Sequence, residues 1–280
     1  MISRCPHSEP FEIGGHAFTA AEIIEALAPM LLEERRRRID AVIAERTYTI
    51  APVLEGLYDL GNVSAVLRSA EALGFQAVHI VDSSPEFKAA NRVTQGAEKW
   101  LDIHIWPDTQ ACVAHLRDRG YRILATHFED ARPIEDFAFD APAAIVFGNE
   151  RDGVSPEMLA SADARLIIPM PGFSRSFNIS VAAAIALYHI RRDRIARLGC
   201  HGDLDASERR ILTASYCFAV NGRSEVSSLT VRGSGAQASA CPEVLESRLQ
   251  PVRDAFTVSS DMSDMSGMSD ASDHCLRQCL

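Results

Sequence analysis

Between residues 51 and about 190 the chain alternates short apolar runs with segments of helical periodicity. That alternation narrows the fold more than any other feature. Apolar runs bounded by turn residues read as buried strands, and strands separated by helical segments of helix-like length read as a parallel sheet covered by helices. The candidate strands are AVHIV (77–81), LDIHIW (101–106), YRILATHF (121–128), AAIVFG (143–148) and RLIIPM (165–170). Helices are expected at about 62–73, 109–119, 155–161 and 178–197. The last opens with Ala182, Ala183, Ala184 and Ala186, which permit close backbone approach, and closes with Arg191, Arg192, Arg194 and Arg197, which suit a helix C-terminus.

The flanks differ. Residues 20–46 return apolar side chains (Ile23, Ile24, Leu27, Leu31, Ile39, Val42) near helical spacing, with an interruption expected at Pro29. Arg35, Arg36, Arg37 and Arg38 are consecutive and so spread around that helix, either as a solvated segment or as an RNA-facing patch. One more helix is expected within 203–220, capped by Asp205 or Ser207. Beyond 221 the Ser-Asp-Met repeats of SSDMSDMSGMSDASD have no apolar period, which predicts a disordered tail. The expected organisation is therefore a helical extension over 1–50, an α/β domain over 51–200, a C-terminal helical extension over 201–220 and a tail over 221–280.

With 47% hydrophobic and 24% charged residues the composition is that of a soluble globular protein, and no apolar stretch approaches the roughly 20 residues of a membrane helix. The N-terminus lacks the pattern of a secretion or import signal, so the cytoplasm is the expected location. Seven cysteines without a CxxC pair argue against a disulfide framework or a zinc ribbon. His274, Cys275 and Cys279 are metal-ligating residue types, but a fraying terminus rarely closes a tetrahedral site, and no metal is expected. The net charge of −10 requires any nucleic-acid contact to come from local basic patches.

The GxGxxG, Walker, HExxH and GxSxG signatures are all missing. Three loop-and-helix segments carry unusually particular polar residues instead. In LYDLGNVSAVLRSAEALGF (57–75), Gly61-Asn62 suggests a turn, Ser64 a helix cap, and Arg68 falls among apolar neighbours, so it either snorkels outward or faces a polar cleft. In AAIVFGNERDGVSPEML (143–159), a strand runs into Gly148-Asn149-Glu150 and then a helix start with Ser155 as cap and Pro156 in the first turn. Such a loop is either an ordinary connection or, at the C-terminal edge of the sheet, a ligand site. In RLIIPMPGFSRSFNISVAAAIALY (165–188), Ser176 and Asn178 lie at a helix N-terminus, as caps or as holders of polar ligand groups.

In this order the three segments resemble the three motifs of the SpoU class of SPOUT methyltransferases: N-x-S-A-x-x-R-[ST]-A, [FL]-G-x-E-x-x-G-[VI] and I-P-M-x-G-x-x-x-S-x-N-[VI]-S-V-A-A-A. The likeness spans about residues 33–200. Within the class it is most similar to the TrmH type, the tRNA (guanosine-2′-O-)-methyltransferases, through RRRRIDAVIAERT, GAEKW (96–100) and ILATHF. The resemblance implies a parallel sheet sandwiched by helices with a C-terminal trefoil knot, S-adenosylmethionine held by the knot loops, and a homodimer whose site is assembled across the subunit boundary. It implies catalytic-site roles for Asn62, Arg68, Glu150, Ser176 and Asn178, and cofactor contacts for Thr126, Gly148, Ile168 and Phe177. The sequence departs from the usual pattern at Arg175 and Phe177, where the tRNA enzymes commonly have glutamine and leucine.

The reaction this implies is methylation of a ribose 2′-hydroxyl, most simply of a guanosine in tRNA. Arginine keeps its proton, so Arg68 reads as a stabiliser of the developing alkoxide rather than as a base. Two alternatives use the same residues: methylation of ribosomal RNA, and a non-catalytic RNA-binding dimer.

Overall fold

The computed structural model describes residues 4–13, 16–56, 59–81, 97–149, 151–174 and 176–220. Its centre is a seven-stranded, wholly parallel sheet. The strands are β3 (Ile50–Glu55), β4 (Ala77–Val81), β5 (Asp102–Trp106), β6 (Arg122–Thr126), β7 (Arg132–Pro133), β8 (Ala143–Phe147) and β9 (Ala164–Ile167), in spatial order β5-β4-β3-β8-β6-β9-β7. A small antiparallel pair, β1 (Phe11–Ile13) and β2 (His16–Phe18), precedes them.

Both faces of the sheet are covered, as parallel pairing requires. The period of two sends Ile50, Leu54, Val78, Ile80, Ile145 and Phe147 to one face, where α3 (Leu60–Leu73) and α6 (Ile179–Leu198) pack. It sends Ala51, Val53, Ala144 and Val146 to the other, under α4 (Thr109–Asp118) and α5 (Pro156–Ser161). On α6 the buried side chains Ile179, Ala183, Ala186, Leu187, Ile190 and Arg194 return at helical spacing, and the small Ala183 and Ala186 let α3 lie close.

The terminal helices α1 (Ala20–Leu27), α2 (Glu33–Ala44) and α7 (Ala206–Val220) share a separate apolar cluster that includes Ile23, Leu27, Ile43, Leu212 and Phe218. A capping box between Thr19 and Glu22 starts α1, and Pro29 sits in the single 3-10 turn that separates α1 from α2. Asp205 caps α7 by accepting from the N–H groups of Ser207 and Glu208 at 2.8 Å.

Some sequence expectations need correction. Gly61 and Asn62 lie in the first turn of α3 rather than in a turn before it, and the cap is Asp59, not Ser64. The Asp59 carboxylate accepts from the Gly61 N–H at 2.8 Å, from the position directly before the helix, whereas Ser64 lies inside it. The run 165–170 ends as a strand at Ile167, before Pro169. The strand IAPVLE was not among the candidates, because a proline demotes a run to an edge position. Here β3 lies at the centre, yet its ladder with β4 starts at Val53, one residue past Pro52. The expected tail at 221–280, with His274, Cys275 and Cys279, lies outside the described residues. Among the described residues, Cys5, Cys112, Cys200 and Cys217 take part in no disulfide. Among the described residues no cluster of metal-ligating side chains occurs, and no helix is long and apolar enough to cross a membrane.

Candidate functional site

Because all seven strands run the same way, their following loops gather at one edge of the sheet. The segments after β3, β6, β8 and β9 are neighbours there, since β3, β8, β6 and β9 are consecutive in the sheet. These are the segments that carry the sequence-predicted residues.

The first and third motifs meet through a side-chain pair. Asn178 is the N-cap of α6: its Oδ1 accepts from the Ser180 N–H at 2.9 Å and from the Ser180 hydroxyl at 2.6 Å. That leaves its amide NH2 to donate to Asn62 Oδ1 at 3.1 Å, across 116 residues of sequence. An asparagine does here what an aspartate cap could not, because it accepts for the helix and donates to a second helix at once. Ser176 and Phe177 are exposed beside this pair, Phe177 at 40%.

Arg68 stands apart from that pair. Six residues beyond Asn62 on α3, it is displaced by about 9 Å along the axis and about 120° around it. It is exposed, and among the described residues it makes no hydrogen bond or ion pair. Asn62 and Asn178 are thus brought together, and Arg68 presents an exposed guanidinium on α3.

The second motif is a tight loop. Asn149 and Gly153 exchange both backbone hydrogen bonds at 3.1 Å, and Asn149 Oδ1 accepts from the N–H groups of Arg151 and Asp152 at 2.9 and 2.6 Å. Gly148 is obligatory: a Cβ there would lie 2.1 Å from the Gly153 carbonyl carbon. Ser155 caps α5 and Pro156 occupies its first turn, as expected. Glu150 and Arg175 lie outside the described residues.

The proposed cofactor residues share the same edge. Thr126 ends β6 with a half-buried side chain, Gly148 follows β8 and is buried, and Ile168 follows β9 half-buried against the core. The next residue after Thr126 is fixed as well, since the His127 N–H donates to the Leu166 carbonyl at 3.1 Å. The donor set is a hydroxyl, backbone amides and carbonyls of tight loops, and the apolar Ile168 and Phe177. That chemistry fits an adenosyl group, whose base wants an apolar wall and whose exocyclic amine wants backbone acceptors.

Sequence reasoning missed two features of this edge. Glu55, the last residue of β3, is a buried carboxylate that grips the second-motif loop; a glutamate ending an apolar run was the available signal. Phe128 is 73% exposed and stacked on His127, with ring centroids 4.8 Å apart.

The fold and this edge define an α/β protein with its ligand loops on one side of a parallel sheet. The profile of the SpoU rRNA Methylase family matches residues 50–188, and the chain belongs to that family. A tRNA (guanosine(18)-2'-O)-methyltransferase from Thermus thermophilus is 37% identical over 164 residues, covering 58% of this chain and 84% of that protein. The protein of the same name from Escherichia coli K12 is 35% identical over 161 residues, covering 57% of this chain and 70% of that one. A solved TrmH/SpoU tRNA modifying enzyme of A. aeolicus superposes with a TM-score of 0.58 at 28% identity, over 66% of this chain and 96% of that chain. A 23S rRNA (guanosine-2'-O-)-methyltransferase from Vibrio vulnificus is 30% identical over 160 residues, covering 56% of this chain and 65% of that protein.

Proposed function

We propose that this protein uses S-adenosylmethionine to methylate the ribose 2′-hydroxyl of a guanosine in tRNA, acting in the cytoplasm as a homodimer. The observation that carries the reading is the Asn178–Asn62 hydrogen bond at the sheet edge that also bears Thr126, Gly148 and Ile168. It joins motifs distant in sequence at the place where a parallel sheet holds its ligand. The tRNA relatives, at 37% and 35% identity, stand above the ribosomal RNA relative at 30%, which favours tRNA as the substrate.

Residues 51–200 form the methyltransferase domain in this reading, with 1–50 and 201–220 as helical extensions and 221–280 as a tail. The C-terminal part of the sheet is threaded as a trefoil knot. Support comes from the strand order: β9 lies between β6 and β7, so the connection from β6 to β7 must bridge the strand that enters later. The dimer buries the outward face of α6, where Val181, Ile185 and Tyr188 are exposed at helical spacing, an apolar stripe a monomer would leave in water. Such a dimer also gives Arg68 a task. With no partner in its own chain among the described residues, it reaches a site completed by the other subunit.

Chemically, the 2′-hydroxyl is a weak nucleophile, and the protein must stabilise its developing negative charge while fixing its direction of attack. The Arg68 guanidinium keeps its own proton and supplies that stabilisation by charge and hydrogen bonding, while the hydroxyl proton leaves to an RNA phosphate oxygen beside it and thence to water. Asn62 and Asn178, locked to each other, hold the loops in register, while Ser176 and Glu150 orient the ribose and its neighbours. Thr126, Gly148, Ile168 and Phe177 hold S-adenosylmethionine, which when bound supplies a methyl group on a positively charged sulfur that is its own leaving group. Methylation assays of the purified protein on tRNA and on ribosomal RNA fragments test the reading. Ribose methylation of tRNA is expected; activity confined to ribosomal RNA would replace the substrate, and a folded protein that fails to bind S-adenosylmethionine in calorimetry would favour a non-catalytic RNA-binding dimer.

A further inference from the structure

Glu55 is 6% exposed and, among the described residues, forms no ion pair. Its carboxylate is instead surrounded by donors from two helix starts. Oε2 accepts from the Ser155 N–H at 2.8 Å; Oε1 accepts from the Ser155 hydroxyl and the Thr109 hydroxyl, each at 2.8 Å. Thr109 opens α4 and Ser155 caps α5, so the negative charge sits between two positive helix ends. A buried carboxylate held only by uncharged donors still costs desolvation, so burial of this kind calls for a reason beyond packing.

That reason is legible in what Ser155 is joined to. Two residues before it, Gly153 is locked to Asn149 by their paired backbone hydrogen bonds, and Gly148 packs directly on the Gly153 and Val154 backbone. On the neighbouring strand, Leu54 pairs with Phe147, so Glu55 stands level with Gly148. A Cβ on Gly56 would meet the Asn149 side chain at 3.3 Å. The end of β3 therefore holds both feet of the 148–155 loop: Glu55 grips its far foot at Ser155, and Gly56 leaves room for its near one at Asn149.

We infer that Glu55 is a positioning residue for methyl transfer, one that fixes the 148–153 loop in the shape that receives the cofactor. The inference rests on the reading that Gly148 contacts S-adenosylmethionine, and it concerns a residue outside the three motifs. Glutamine at this position can accept from the Ser155 N–H through its oxygen and donate to the two hydroxyls through its amide, because hydroxyls reverse roles freely. Alanine cannot, and it leaves the buried Ser155 N–H without a partner.

Two readouts on the full chain test this. In hydrogen exchange without cofactor, Glu55→Ala should speed exchange of the Asn149 and Gly153 amides by about tenfold or more, the lower end of what an unsatisfied buried donor costs, while amides of α3 and α6 keep their protection. In assays, Glu55→Ala should raise the KM and Kd for S-adenosylmethionine by about tenfold with kcat on tRNA within about threefold, and Glu55→Gln should stay within about threefold throughout. Should the alanine variant fail to fold, Glu55→Met fills the space without an acceptor and is expected to behave the same way. Unchanged exchange at Asn149 and Gly153, or a uniform loss of protection with wild-type cofactor affinity, would overturn the proposal. Wild-type protein that binds no S-adenosylmethionine would instead overturn the cofactor site, leaving the exchange result to decide Glu55.

Discussion

At the N-terminal end of the parallel sheet Arg46 and Arg194 are buried and hydrogen-bonded through their terminal nitrogens, whereas towards the C-terminal edge Arg68 is exposed and, among the described residues, unpaired. Arg194, fully buried, donates to the Phe139 and His201 carbonyls at 2.9 and 3.2 Å and to Asp203 at 2.6 Å. Arg46, 1% exposed, donates to the Glu71 carbonyl and carboxylate at 2.9 and 2.7 Å. Backbones there touch: a Cβ on Gly202 would lie 2.0 Å from the Ala44 carbonyl oxygen. The C-terminal edge instead displays Ser176, Phe177, Asn178 and Phe128 to solvent. One residue type thus serves two purposes. Where its terminal nitrogens are engaged within the chain, arginine ties neighbouring segments together; where they are exposed and unpaired among the described residues, it is available to a ligand.

The sharpest way to break that contrast is to remove one arginine of each kind. Arg194→Ala removes a fully buried side chain and leaves the Phe139 and His201 carbonyls without this donor, while Asp203 keeps its bond from the Thr49 hydroxyl, and it is expected to cost about 2–4 kcal/mol, read as a lowered midpoint in urea. Arg68→Ala should leave that midpoint and cofactor binding nearly unchanged yet cut methyl transfer to tRNA by about a hundredfold or more, roughly 3 kcal/mol of transition-state stabilisation. If Arg68→Ala turned over near-normally, or Arg194→Ala were stable but inactive, the division of roles would be wrong.

Acidification probes the fastened end through His201, on top of a loss of the same sign from His79, His104 and His115, whose imidazoles burial also holds down. Burial, and then the nearby Arg194 guanidinium, hold the His201 imidazole down to about 4. The unfolded chain, with histidine near 6.5, therefore binds the extra proton first. Stability from His201 is complete above about pH 6.5 and is lost as pH falls towards 4, by about 3 kcal/mol at most. Urea titrations across that window should show the loss, and His201→Phe should flatten it. The smallest expected effect on transfer is that of Asn178→Ala, about tenfold because the link to Asn62 is lost, alongside about 1 kcal/mol of stability for the lost helix cap.

What the sequence could reveal follows the same contrast. The strands 77–81 and 143–147 and the helix that became α6 were legible because unbroken apolar period specifies a buried element. Pro52 hid β3, since a propensity rule speaks of ladders and not of where a ladder begins. The strands of β1 and β7 are three and two residues long, too short for any period to register. At the site, Asn62, Arg68 and Asn178 stood out by motif, but their meeting or separation is a matter of tertiary packing. Glu55 carried only a weak local mark, a glutamate ending an apolar run, and its partners lie 54 and 100 residues away.

The central claim is that this sheet edge directs a methyl group to a ribose oxygen of tRNA. Incubating the purified protein with S-adenosylmethionine and unmodified tRNA, then mapping methylated nucleosides by mass spectrometry, tests it most directly. The account predicts a 2′-O-methylguanosine at one defined position, absent when Arg68 is replaced by alanine. Methylation on a base, or on no residue of tRNA at all, would contradict it.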